Sequence, residues 1–286
     1  MMLIDTHAHI NFQEYKDDGD QVIQRALKNN IWMINVGAEF KTSKRAVEYA
    51  EKYSSGVYAA VGLHPFHLEN QIIKESIKGE EVEIVSKKEK FDFKKYYLLA
   101  KFQKVVAIGE IGLDYKNLSQ KRNSEKIKDK QKKVLYDQIN LALQLELPII
   151  FHCRQAYNDL LFVLKKFNAG CNNCPFGCRR RVTGVIHSFM GRWSQAEEFL
   201  KMGLFLSFNG VITYARDYDK VIRNTPLENI LLETDCPYLT PVPFRGKRNE
   251  PLYVKYVAQK IAEIKEISLE KVAEQTTQNA QNLFNL

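Results

Sequence analysis

KVVAIGEIGLDY, residues 104–115, is a short apolar run that stops on a carboxylate. Its length and its valine and isoleucine content read as a buried β-strand rather than a helix. Glu110 closes the strand, although a glutamate is costly to bury without a partner. The same arrangement, apolar strand and then polar residue, recurs along the chain. The candidate strands are Met2–His7, Ile31–Gly37, Val57–Leu63, Lys104–Glu110, Pro148–His152, Thr183–His187, Leu204–Asn209 and Asn229–Thr234. Helical patterns separate or follow them over Gln21–Asn29, Thr42–Tyr53, Glu125–Glu146, Tyr157–Phe167, Ser194–Met202, Glu250–Ile264 and Ser268–Leu286. Eight βα units without a linker predict a single-domain (β/α)8 TIM barrel over residues 1–286. A doubly wound open sheet would place a glycine-rich phosphate turn after the first strand, where THAHIN stands instead.

Two stretches read as insertions: 72–90, charged and weakly patterned, and 169–181, rich in turn residues and cysteine. The chain has 286 residues, of which 45% are hydrophobic, enough for a proper core. Net charge is +8, which suggests an anionic partner or simply a lysine-rich surface. The opening residues, MMLIDTHAHI, lack a basic segment followed by an apolar one, and no run reaches the length of a membrane span. Five cysteines, an odd number, fit a reducing compartment. The expectation is a cytoplasmic protein without membrane contact, with a monomer favoured.

All six histidines fall at or just past the end of a candidate strand, on the face where parallel barrels build active sites. A lone strand-end histidine is more often a satisfied core residue, but six such placements point to a site. In Asp5-Thr6-His7-Ala8-His9 the two imidazoles share one side of a strand and suit a divalent metal. Asp5 reads as a hydrogen-bonding support. Glu110 has a metal or a Lys/Arg ion pair as alternative partners. His152, His187 and Asp235 end three further strands in the same way. Two converging carboxylates repel unless cations balance them. The set His7, His9, Glu110, His152, His187 and Asp235 is therefore expected to hold divalent metal.

THAHIN, GLHP, AIGEIGLDY, FHCR, GVIHSF, ETDCPYL and PFRGKRNEP follow in order over nearly the whole chain. This ordered set resembles the TatD family of metal-dependent deoxyribonucleases, within the amidohydrolase-like barrels. The resemblance implies two divalent ions, with His7, His9, Glu110 and Asp235 around one and Glu110, His152 and His187 around the other. It implies hydrolysis of DNA phosphodiester bonds, often from the 3′ end of single strands. Two ions roughly 3.5–4 Å apart clamp a phosphate and activate a bridging water. Asp235, with Glu110 as the bridge, is expected to act in catalysis, Asp235 as general base. Nitrogen and oxygen ligands admit magnesium, manganese or zinc alike.

His64 is expected to contact the scissile phosphate or leaving oxygen, or else to order its loop. His67, three residues on, has either a role of that kind or simple solvent exposure as its reading. Arg154 lies two residues past His152, placed to bind a phosphate or to buttress Glu110 or Asp114. Arg245, Lys247, Arg248 and the charged stretch Lys116–Lys133 are expected to form a basic rim for DNA, single-stranded DNA favoured. Tyr115, Phe189 and Trp193 are candidates for base stacking, or for core. Cys171, Cys174 and Cys178 have partial metal-knuckle spacing, so a structural metal there competes with free thiols or a disulfide. Rival functions are hydrolysis of another ester or amide, such as aminoacyl-tRNA deacylation, and nucleic-acid binding without catalysis.

Overall fold

Strands buried on both faces need neighbours on both edges and helices over their outer surface. The computed structural model describes residues 1–77, 80–116, 118, 122–169 and 181–286. The strands are β1 (Leu3–Ala8), β2 (Ile31–Val36), β3 (Val57–Val61), β4 (Gln71–Ile77), β5 (Glu80–Ser86), β6 (Val105–Asp114), β7 (Ile149–Arg154), β8 (Gly184–Ile186), β9 (Phe205–Phe208) and β10 (Ile230–Leu232). Eight of them form one parallel sheet in the order β1-β2-β3-β6-β7-β8-β9-β10. Between β10 and β1, Ala8 bridges Cys236, the His9 N–H donates to Cys236 O at 3.0 Å, and the Asp235 N–H donates to His7 O at 2.9 Å. The expected (β/α)8 barrel is therefore the observed fold.

The helices are α1 (Gly19–Lys28), α2 (Phe40–Lys52), α3 (Phe93–Ala100), α4 (Ser124–Leu145), α5 (Tyr157–Asn168), α6 (Trp193–Lys201), α7 (Asp219–Asn224), α8 (Val254–Lys265) and α9 (Leu269–Phe284). An inner cluster gathers Ile4, Ile34, Ala60, Val106, Ile150 and Leu231 from six strands, and Phe284 of α9 packs onto it. A larger cluster joins the strands to the helices. Apolar burial on this scale, at about 25 cal/mol per Å², holds the strand ends in place.

Five of these elements depart from the sequence reading. The 72–90 insertion, charged and weakly patterned in sequence, overlaps an antiparallel pair, β4 and β5. Helices α3 and α7 join it as unforeseen elements; Asp92 caps α3 by accepting from the Lys95 N–H at 3.1 Å. Last, β6 does not stop at Glu110. It runs on to Asp114 and pairs Gly112 with His152 and Asp114 with Arg154. A Cβ on Gly112 would lie 1.8 Å from the His152 carbonyl oxygen, so only glycine permits that approach. Most of the 169–181 stretch, with Cys171, Cys174 and Cys178, lies outside the described residues. Among the described residues, no helix is long and apolar enough to cross a membrane.

Candidate metal centre

Parallel strands deliver their C-terminal ends to one rim, so residues far apart in sequence meet there. The pocket at this rim has a volume of about 470 Å³. Glu110 stands at its centre, and its two oxygens face different groups. Oε2 lies 3.5 Å from His7 Nε2 and 3.9 Å from His9 Nε2. Oε1 lies 2.7 Å from His152 Nδ1, 2.8 Å from His187 Nε2 and 3.5 Å from His64 Nε2. Asp235 Oδ1 completes the first side, 3.4 Å from His9 Nε2 and 3.8 Å from His7 Nε2. The six residues expected to hold metal thus converge.

His7 Nε2 and His9 Nε2 sit 3.1 Å apart, and His9 Nδ1 is 2.8 Å from the Val36 carbonyl. That carbonyl accepts a hydrogen bond from His9 Nδ1–H, which leaves the Nε2 lone pair aimed inward. His7 Nδ1 is buried without a hydrogen-bond partner. Among the described residues, three overlapping groups have metal-binding geometry: His7, His9 and Glu110; His7, His187 and Asp235; and His64, Glu110 and His152. The donor set, imidazole nitrogens and carboxylate oxygens with no lysine lining the pocket among the described residues, suits a divalent ion. The third group places His64 beside Glu110, whereas its sequence reading was a substrate contact or a loop-ordering hydrogen bond; its Nδ1 does accept from the Phe66 N–H at 3.0 Å.

Glu110 and Asp235 have imidazoles rather than lysine or arginine as their ion-pair partners. Burial opposes ionisation of Glu110, yet the imidazoles of His187 and His64 and hydrogen bonds from His152 and His187 hold its carboxyl well below the usual range. Burial likewise opposes protonation of His187, but Glu110 and Glu233 raise its pKa well above the usual value. Burial, with His187 beside it, lowers that of His7. So many groups made to share so few protons is what a cation would relieve. At Asp235 burial opposes the charged form, while His9 and the other imidazoles lower the pKa.

A family model described as TatD related DNase matches residues 4–285. The chain belongs to the TatD family. This TatD protein is 41% identical over 288 residues to the uncharacterized metal-dependent hydrolase YabD of Bacillus subtilis, with both chains covered in full. A mouse relative provisionally named as a deoxyribonuclease is 29% identical over 284 residues, covering 99% of this chain and 88% of its own. The crystal structure of YjjV, a TatD homologue from Escherichia coli K12, superposes with a TM-score of 0.80 at 30% identity, covering 99% of this chain and 98% of that one. The protein is a metal-dependent hydrolase of this family.

Other side chains of the TatD site were legible to differing degrees. Asp5 is fully buried; its Oδ1 accepts from the Thr234 N–H at 2.9 Å, and its Oδ2 from the Thr234 hydroxyl at 2.5 Å. It supports the loop carrying Asp235, as expected. Burial pushes its carboxyl up to about 8. Glu233 escaped the sequence reading. It is fully buried, accepts from the Ser188 N–H at 2.7 Å and the Ser207 hydroxyl, and lies 3.5 Å from His187 Nδ1. Its place in Glu233-Thr234-Asp235 was the available signal, since it immediately precedes the strand-end pair.

Several residues of the basic loops are engaged within the protein. Arg248 bonds Asp18 and the Glu14 carbonyl, Lys130 pairs with Glu69 at 2.6 Å, and Lys132 with Asp159 at 2.8 Å. Arg245 lies over the Tyr214 ring and Lys247 over Phe244. Arg154 is the only lysine or arginine among the described residues lining the pocket; its Nη1 is 4.0 Å from Asp114 Oδ2. The proposed stacking residues also lie elsewhere. Phe189 is 2% exposed, Tyr115 donates to Asp159 and Trp193 packs on the core. Phe12 and Phe66 line the pocket instead, and Phe12 stacks on His9 with ring centroids 4.2 Å apart. His67 lies against Glu39 and Ser86 at the pocket wall rather than in open solvent.

Proposed function

We propose that this hydrolase cleaves DNA phosphodiester bonds, acting on the 3′ end of single strands. One observation carries the reading: Glu110 offers one oxygen to the His7–His9 side and the other to the His152–His187 side. A carboxylate so divided fits a bridge between two divalent ions, magnesium, manganese or zinc, held by His7, His9, Glu110, His152, His187 and Asp235. When bound, such ions supply charge neutralisation and an acidified water.

The chain's own residues account for the other requirements. Asp235 projects from the β10 end beside His9 and accepts the proton of the attacking water. Arg154, which also lines the pocket, pairs with a phosphate oxygen. His64, 3.5 Å from Glu110 Oε1, contacts the scissile phosphate or leaving oxygen. Phe12 and Phe66 supply an apolar wall for the terminal base. A pocket of about 470 Å³ admits a chain end more readily than a continuous duplex. The name of the mouse relative supports the same chemistry.

Glu14 and Glu39 at the pocket wall favour a second reading. Carboxylates there suit the ammonium group of an aminoacyl ester, as in charged tRNA. Metal-loaded protein incubated with end-labelled single-stranded DNA, duplex DNA and charged tRNA separates the two. Stepwise 3′ shortening of single strands, abolished by EDTA and by Glu110→Ala, is the expected result. Turnover of charged tRNA alone would replace the first reading with the second.

A further inference from the structure

His152 is engaged through both ring nitrogens. Nδ1 faces the centre, 2.7 Å from Glu110 Oε1 and 3.4 Å from His187 Nε2. Nε2 points the other way, 3.3 Å from Asp114 Oδ2. A neutral imidazole carries one proton, and only its bare nitrogen can hold a metal. A carboxylate is an acceptor alone, and both nitrogens face one; with Nδ1 given to metal beside Glu110, the remaining proton belongs on Nε2, where Asp114 Oδ2 accepts it.

Asp114 is itself held firmly. Its N–H donates to Gln131 Oε1 at 2.9 Å, and its carbonyl accepts from Gln131 Nε2 at 3.0 Å. Gln131 is 4% exposed and belongs to α4, so that helix holds the end of β6 through both backbone groups of Asp114. The Asp114 Oδ1 accepts from the Lys116 N–H at 3.0 Å, which leaves Oδ2 for His152. The β6–β7 register sets Asp114 opposite Arg154, two residues beyond His152. Arg154 Nη1, 4.0 Å from the same Oδ2, keeps the carboxylate oriented toward β7.

We propose that Asp114, clamped by Gln131, is a positioning residue that fixes His152 as the Nε2–H tautomer and presents Nδ1 to metal. The inference rests on His152 being a metal ligand. Partners of this kind contribute roughly 10–100-fold to metal affinity when they orient a ligating imidazole.

Zinc alone is the probe. In zinc-loaded protein with ¹⁵N-labelled histidine, long-range proton–nitrogen spectra report which nitrogen carries the proton, and His152→Gln identifies the signals. The expected spectrum shows His152 protonated at Nε2 and metal-bound at Nδ1. Asp114→Ala is expected to weaken zinc binding by roughly 10–100-fold, with Asp114→Asn partly restoring it through its remaining acceptor oxygen. Circular dichroism of the EDTA-treated variants checks folding, and if Asp114→Ala does not fold, the wild-type spectrum decides. Metal on Nε2, or unchanged zinc affinity in folded Asp114→Ala, overturns the positioning role while leaving His152 a ligand. Unchanged affinity in His152→Gln overturns the ligand reading and the inference with it.

Discussion

At Asp235 the backbone is left-handed, with φ +56°, a conformation that aspartate tolerates better than most residues. Gln155 and Ser188, each just beyond a site histidine, share it, with φ +56° and +47°. The chain therefore turns sharply after these strands and leaves the functional side chains at the rim. If Asp235 is the general base, Asp235→Asn should lower kcat by roughly 10²–10⁴-fold at saturating manganese. Near-normal turnover would remove the role. Arg154→Ala should raise KM for single-stranded DNA with less effect on kcat, and an unaltered KM would exclude a phosphate contact. His64 yields a pH test. Burial, with His152 beside it, pushes the imidazole down to about 3 from an ordinary 6.5. Between these values the unfolded chain binds the extra proton, so this group removes stability from metal-free protein as pH falls from 6.5 toward 3. In EDTA, His64→Asn should lose less Tm than wild type between about pH 7 and pH 5. Equal losses would show that His64 is not held neutral.

Among the elements, β6 departs most informatively from its sequence pattern. Its apolar run ends before Glu110, but pairing with β7 continues to Asp114. Gly112 makes the extension possible, because a side chain there would collide with the His152 backbone. Gly112→Ala should therefore destabilise the fold by about 2 kcal/mol or more, in the range of overpacked cores. Urea unfolding measures this, and a change under about 0.5 kcal/mol would mean that β6 and β7 separate easily. The strands themselves were legible from short apolar runs, and α4 from its long helical pattern. The β4–β5 hairpin was not, since its charged residues give neither an apolar period nor a strong turn signal. Helix α7 spans Asp219–Asn224, too short to establish a helical period.

For the whole molecule, the centre concentrates histidines and carboxylates on five strand ends or the loops just beyond them. Metal bound there links those strands and stabilises only the folded chain. At a free concentration of roughly 100 times Kd the gain is about 2.7 kcal/mol. EDTA should accordingly lower Tm by roughly 5–10 °C in a domain of this size. Differential scanning calorimetry with and without manganese checks it, and coincident transitions would argue against tight binding. The distribution of charge was less legible than the centre. Arg248 and Lys130 looked like a DNA rim in sequence, but each has a protein carboxylate within ion-pair distance. A linear run of lysines does not reveal which acidic neighbour folding will bring beside it.

The sequence by itself determined the barrel and the converging ligand set. Strand periodicity fixes which residues end the strands, and closure of parallel strands sends all those ends to one rim. Only the tertiary structure decided how they divide. It turned the two oxygens of Glu110 to opposite groups, set Asp114 against His152, placed Glu233 behind His187 and exchanged Phe189 for Phe12 at the pocket wall. These pairings depend on register between strands and on loop backbone, which bring together residues tens to hundreds of positions apart and leave no local pattern to read.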